Sequence, residues 1–309
     1  MNPSAQETAA SSRRLTRLAL LALALMAVIW GYNWVVMKTA LAYVGPVDFS
    51  MLRNLFGVIA LFMLLLARRT HLAIGAWPRV ILLGMLQTAA FSLLIQFALL
   101  HGGAGKTSIL VYTMPFMVVA MAWLFFGERI QGLQWPALGL AAVGLVLIVE
   151  PWNNHAPIAS NLMAVGAGFA WALATMVTKW IKRDYRIDPL PLTAWQMLFG
   201  SLALCITAWL VPERPIDPAP LFYATLIYNV VLATGLAWFL WMFALQHLPA
   251  GVAGLASLGA PIIGVLASWL QLGERPGGLE LLGMGMIGVA LLALSLRGMV
   301  GGGARRARG

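Results

Sequence analysis

Residues 114–129 read MPFMVVAMAWLFFGER, and residues 260–275 read APIIGVLASWLQLGER. A shift of 146 residues lays one on the other, pairing Pro115 with Pro261, Trp123 with Trp269, and Gly127-Glu128-Arg129 with Gly273-Glu274-Arg275. Extended from 97–149 onto 243–295, the same register holds 18 identities in 53 ungapped pairs. That exceeds what biased composition supplies, so the chain reads as an internal duplication. Slightly smaller shifts pair the earlier segments. Leu55-Phe56-Gly57 falls on Leu198-Phe199-Gly200, Pro46 on Pro189, Trp30 on Trp171 and Lys38 on Lys179.

Composition fixes the solvent of the repeated unit. The chain has 309 residues, 61% hydrophobic and only 10% charged, with a mean hydropathy of +0.86. A soluble domain is about 25% charged, so most of this chain belongs in lipid. Helices that cross a bilayer need roughly 20 apolar residues. Ten such runs are predicted, near 16–38, 46–66, 79–100, 104–126, 133–150, 159–181, 190–211, 221–244, 250–272 and 278–297. Arg13, Arg14 and Arg17 precede the first run as in a signal peptide. That run continues to Val36 without a clear small-residue cleavage site, so a retained helix is expected.

The linkers are too short for a soluble domain. Residues 1–15 and 298–309 read as cytoplasmic tails, disordered over 1–12 and over the final GGGARRARG. Residues 16–150 and 151–297 form the two repeats. The expected class is an all-α integral membrane protein, ten transmembrane helices in two inverted five-helix repeats. Five spans per repeat is an odd number, so equivalent helices cross in opposite directions. Charge agrees with this. With the N-terminus inside, 15 of the 20 Lys and Arg residues fall on the inner side, and basic residues prefer cytoplasmic loops. Both termini are therefore expected in the cytoplasm. The net charge of +10 then reflects topology rather than a nucleic-acid partner. Inverted repeats are a mark of secondary transporters, with the substrate held between the halves near the midplane.

At this point the chain resembles the EamA-type bacterial members of the drug/metabolite transporter superfamily. The resemblance rests on Trp30-Gly31, Asn33 and Lys38 in helix 1, Arg53 in helix 2, Gly-Glu-Arg after helices 4 and 9, and the glycines of helices 5 and 10 (Gly139, Gly144, Gly283, Gly288). It covers Leu15 to Leu296. It implies a central cavity among helices 1–4 and 6–9, with helices 5 and 10 peripheral, in a multi-pass protein of the bacterial inner membrane. It also implies export of amino acids, related metabolites or drugs, with sugar phosphates or nucleotide sugars in some subgroups. Small relatives that extrude cationic drugs use a glutamate in helix 1. This chain has none there, which weakens that reading.

Candidate site residues follow from polarity at depth. Arg53 lies seven residues into helix 2, roughly 10 Å from its end. A guanidinium there faces protein or water and suits a carboxylate; a snorkelling arginine is the alternative. Its repeat partner, Gln196, is neutral. Trp30, Asn33, Trp34 and Met37 share one side of helix 1, and Trp171, Thr175 and Thr178 share one side of helix 6. Such faces suit a cavity for an amphipathic solute, although Trp34 and Trp180 fit an interfacial belt equally well. Gln87 and Phe91 on helix 3, with Tyr228 and Asn229 on helix 8, complete the set. Helix–helix hydrogen bonding competes as their role. The Gly-Glu-Arg motifs read as structural helix stops, Pro115 and Pro261 as kinks, and Ala137/Ala141 and Gly285/Gly288 as close-packing pairs.

Every acid lies at or beyond a helix end, so facilitated diffusion or exchange is favoured over a proton-coupled carboxylate. The partners expected are a small-molecule substrate and membrane lipid, and a homodimer is compatible with the pattern. No cofactor or metal is expected. The chain has a single cysteine, and the four histidines are scattered. His101 and His247 are repeat partners and fall on opposite faces, which weighs against a membrane-embedded lipid-modifying enzyme. HGGAGKTS at 101–108 looks like a phosphate loop, but that motif needs a glycine five residues before Gly105, and Leu100 stands there. Its repeat partner keeps His247, Ala250 and Gly251 and has Val252 in place of Lys106. The stretch therefore reads as a tight turn, with Lys106 an ordinary membrane flank.

Overall fold

A computed structural model describes residues 3–69, 72–153, 157–248, 252 and 257–306. Among the described residues every regular element is helical. The helices are α1 (Pro3–Ala40), α2 (Pro46–Ala67), α3 (Trp77–His101), α4 (Ala104–Phe126), α5 (Gln134–Val149), α6 (Ile158–Asp184), α7 (Pro189–Leu210), α8 (Pro220–His247), α9 (Gly259–Leu272) and α10 (Gly278–Arg306). Seven of them are long and apolar enough to cross a membrane; α5, α9 and the apolar part of α10 are shorter.

Local sequence explains the boundaries. Pro46, Pro189 and Pro220 each occupy the first position of a helix, where the missing N–H costs nothing. Gly127 and Gly273 end α4 and α9 at φ of 64° and 69°. A side chain is strained in that left-handed conformation and glycine is not. The expected kink before Pro115 is a break, since α4 stops at Val111, turns at Tyr112 and Thr113, and resumes at Met114. The tails depart from expectation. Helix α1 already starts at Pro3, and α10 runs on to Arg306. The alanine-rich N-terminal stretch favours helix, so α1 extends beyond its apolar span, which begins at Leu15. His71, His155, Arg308 and the predicted start of the ninth span at 250 lie outside the described residues.

The packing crosses between the halves. Helix α1 packs on α8 and α9, α6 packs on α3 and α4, α2 on α7, and α5 on α10. Small residues permit the close approaches. A Cβ at Gly31 would come within 2.6 Å of the Ala260 carbonyl on α9, and one at Gly283 within 2.6 Å of the Gly144 carbonyl. In lipid, such backbone proximity drives helix association. Gly285 and Gly288 face open space instead. The α5–α10 seam is Gly144 and Gly283 with Ala137, Ala141 and Ile287, displaced from the predicted Gly285/Gly288 pair.

Both α3 and α8 contain a π-helical stretch, Met85–Ala90 and Tyr228–Leu236. A shift of 146 residues places 85–90 on 231–236, inside the second stretch. π segments loosen the backbone ladder and recur at functional sites.

The molecule has two chemically distinct ends. At the end where α1 finishes, the α7–α8 loop clasps the α1–α2 hairpin. Glu213 Oε2 accepts from the Val47 and Asp48 amides at 2.9 and 3.0 Å, which are free donors at the start of α2. The Arg214 guanidinium donates to the Leu41 and Val44 carbonyls at the end of α1. Each charge sits against the complementary pole of a helix. At the opposite end Arg79 pairs with Asp184, and the Trp195 Nε1 donates to the Leu72 carbonyl at 2.8 Å.

Candidate functional site

Helices α1 and α8 carry the first constellation. Trp30 Nε1 donates to the Ala233 carbonyl at 3.0 Å, inside the π stretch where the ladder leaves carbonyls available. Trp238 and Trp241 pack on the Trp30 ring at centroid distances of 5.8 and 6.2 Å. The Tyr228 hydroxyl donates to the Ile29 carbonyl at 2.9 Å. Tyr32, which sequence reasoning passed over, packs edge-on against Tyr228 and donates to Gln271 Oε1 at 2.7 Å. Asn229 is fully buried; its Nδ2 donates to the Thr225 carbonyl, and its Oδ1 has no hydrogen-bond partner.

The second constellation joins α3, α6 and α7. The Phe91 and Trp171 rings lie 4.6 Å apart, just beyond the α3 π stretch. The Thr175 hydroxyl donates to the Trp171 carbonyl one turn back. Thr88 donates to Gln196 Oε1 at 3.0 Å, and both are buried. Gln87 is half-buried beside Thr88. Repeat-equivalent tryptophans therefore meet the repeat-equivalent helices, Trp30 on α8 and Trp171 on α3.

Arg53 belongs to a third group, on α1 and α2. Its Nη1 donates to the Met37 thioether. No carboxylate among the described residues lies within ion-pair distance of it. Asn33, one turn before Met37, is 8% exposed with its Oδ1 unpartnered. The guanidinium thus has no ion-pair partner among the described residues, and the orphaned amide oxygen belongs to the residue one helical turn before the methionine that the guanidinium contacts. Each costs free energy while it lacks a partner. Asn54 follows Arg53 and donates to Ser92 Oγ at 3.0 Å across to α3, where Gln96 is buried with both amide atoms unpartnered. Thr88, Ser92 and Gln96 recur every fourth residue, a polar stripe that the sequence displays.

The ten candidates fall into these three groups, and among the described residues no direct hydrogen bond or ring contact joins one group to another. Trp34 leaves the belt that it fitted. It is 6% exposed and packs where Gly264 of α9 makes room for it. Lys106 is no simple flank: its side chain is 11% exposed, and its ammonium pairs with Glu280 at 2.5 Å. A surface groove of about 350 Å³ between α4 and α6, lined by Met117, Met121, Trp123, Phe169 and Leu173 among others, contains none of the candidates. Its walls are wholly apolar, which fits lipid rather than a polar solute.

The EamA-like transporter family matches residues 17–150 and, a second time, residues 158–296. The chain belongs to this family. An uncharacterized transporter of Bacillus subtilis (strain 168), YoaV, is 27% identical over 253 residues, covering 80% of this chain and 86% of its own. A probable amino-acid metabolite efflux pump of Escherichia coli (strain K12) is 28% identical over 278 residues, covering 85% of this chain and 90% of its own. The crystal structure of a protein 17% identical aligns with a TM-score of 0.62 over 94% of this chain and 98% of the other, and it shares the fold. As an EamA-like transporter, the chain carries its polar aromatic clusters on helices built to lie in a membrane.

Proposed function

We propose that this chain is an exporter of small zwitterionic metabolites, amino acids or related compounds, working by alternating access. It sits in a bacterial inner membrane with both termini in the cytoplasm. Ten spans form two inverted five-helix repeats that rock about a site between them. The crossed packing carries this reading: the first helix of each half packs on the third and fourth helices of the other half. The doubled family match supports the duplication, and the bias of basic residues supports the orientation.

Arg53 and Asn33 suggest the substrate class. The guanidinium takes a carboxylate, and the Asn33 oxygen takes an ammonium or hydroxyl proton. Trp30 and Trp171 supply apolar walls on either side of the midplane. The Escherichia coli relative is named for amino-acid metabolite efflux, which fits this chemistry.

Purified protein in proteoliposomes, loaded with a panel of amino acids, sugars and drugs, tests the reading. Faster release of amino acids than from protein-free vesicles is expected. Equal release of every solute by the two preparations would overturn it.

A further inference from the structure

The two Gly-Glu-Arg motifs do more than stop helices. Lys38 near the end of α1 lies 3.7 Å from Glu274, which follows α9. Lys179 near the end of α6 pairs with Glu128, which follows α4. The lysines are repeat partners, and so are the glutamates. The pairs stand at opposite ends, because α4 carries the chain from the Lys38 end to Glu128.

What each lysine touches next differs. Lys38 Nζ also donates to the Leu99 carbonyl at 3.1 Å and to the Gly102 carbonyl, the last acceptors of α3. Glu274 Oε2 accepts from the Gly105 amide at 3.3 Å, beyond the same turn. An ammonium at a helix C-terminus meets the negative pole of the helix. By the repeat, the matching acceptors for Lys179 are Leu245 and Leu248 at the end of α8. That end has the same shape. Gly102 N bonds to the Ala98 carbonyl and Leu248 N to the Ala244 carbonyl, and both caps are extended. Yet among the described residues Lys179 donates to Glu128 alone and lies 5.0 Å from the centre of the Phe126 ring.

Packing repeats the asymmetry. The Phe91–His101 part of α3 packs on α6, α2 and α1. The equivalent Ala237–His247 part of α8 packs on α1 and, among the described residues, makes no comparable contact with α6 or α7. One end is latched, and the other has its latch assembled but not engaged.

We propose that Lys38 and Lys179 are alternating latches, each oriented by its glutamate, that grip the carboxyl-terminal carbonyls of α3 and of α8 in turn. Engagement of Lys38 closes its end while the α8 end stands free. In the converse state Lys179 bonds to Leu245 and Leu248, and Lys38 releases Leu99 and Gly102. Glu274 and Glu128 are positioning residues. The inference rests on the alternating-access reading above.

Spin-label distances in lipid nanodiscs test it, with Cys205→Ser as background. Ala42→Cys with Leu100→Cys reports on the Lys38 end, and Lys182→Cys with Gln246→Cys on the other. All four side chains are exposed. With both latches intact, a short first distance and a long second one are expected. Lys38→Gln should lengthen the first and shorten the second, changing the ratio of the two populations about tenfold, the scale of losing a charged helix cap. Glu274→Gln should move both distances the same way by less, and Lys38→Arg should restore them. Unchanged distance distributions in both Lys38→Gln and Glu274→Gln would overturn the latch. If the distances respond but proteoliposomes release no solute, transport fails and the latch stands. If solute is released and the distances ignore both variants, the latch alone fails.

Discussion

Arg53 shows how far a single residue can be read. Its depth in an apolar helix is enough to mark it, because a guanidinium in lipid demands a reason. The structure adds that, among the described residues, its one hydrogen bond goes to a thioether. Arg53→Ala should lower transport at least about tenfold at equal expression, and Arg53→Lys should recover little of it, since lysine lacks the bidentate fork. Flux measured beside protein abundance checks both. Trp30→Phe keeps an aromatic wall but removes the donor to Ala233. It should destabilise the protein by about 1 kcal/mol, seen as a lower unfolding midpoint in detergent. Trp30 and Trp171 are legible because their depth exceeds that of a belt. Trp34 is not, because only the groove at Gly264 reveals which side of α1 is covered. Thr88, Ser92 and Gln96 escape notice because short polar side chains also satisfy themselves within one helix.

Among the elements, the π stretches of α3 and α8 are the least legible from sequence. Moving a hydrogen bond from i+4 to i+5 leaves no compositional trace, and residues 85–90 and 228–236 look like ordinary apolar helix. Their placement at matching positions in both halves gives α3 and α8 the same loosened stretch of backbone ladder. The α5–α10 seam is the opposite case. Small residues are visible in both helices, but which of them face each other depends on rotation about the axis. Gly283→Val should therefore destabilise the protein by about 1–3 kcal/mol through overpacking against Gly144, whereas Gly285→Val, facing open space, should leave the midpoint of thermal unfolding unchanged. The turn at 101–108 gains meaning too. Its glycines bring backbone groups within reach of Lys38 and Glu274, where a phosphate loop would have offered them to a nucleotide.

For the whole molecule, the repeat predicts a symmetric object and the structure is an asymmetric instance of it. Sequence identity between halves fixes which helices correspond. It is silent on how the contacts of the two halves differ, because that depends on small free-energy differences between two packings of the same parts. Topology remains a firm expectation. Reporter fusions after residue 309 should be active only in the cytoplasm, and fusions after residue 150 only outside it. Opposite results for the pair would reverse the orientation.

The clasp of Glu213 and Arg214 on the α1–α2 hairpin has a consequence for how that end tolerates change. It binds main-chain poles, amides of Val47 and Asp48 and carbonyls of Leu41 and Val44. Side chains at those positions can drift without erasing it. Gly45 is the exception, since any Cβ there would run into the Glu213 carboxylate. What cannot drift is the order of the two clasping residues. Exchanging them, by Glu213→Arg and Arg214→Glu together, would keep the charge, the composition and the hydropathy unchanged while setting each group against the wrong helix pole. The clasp is thus written in the direction of a dipeptide, and the exchanged pair would read it backwards.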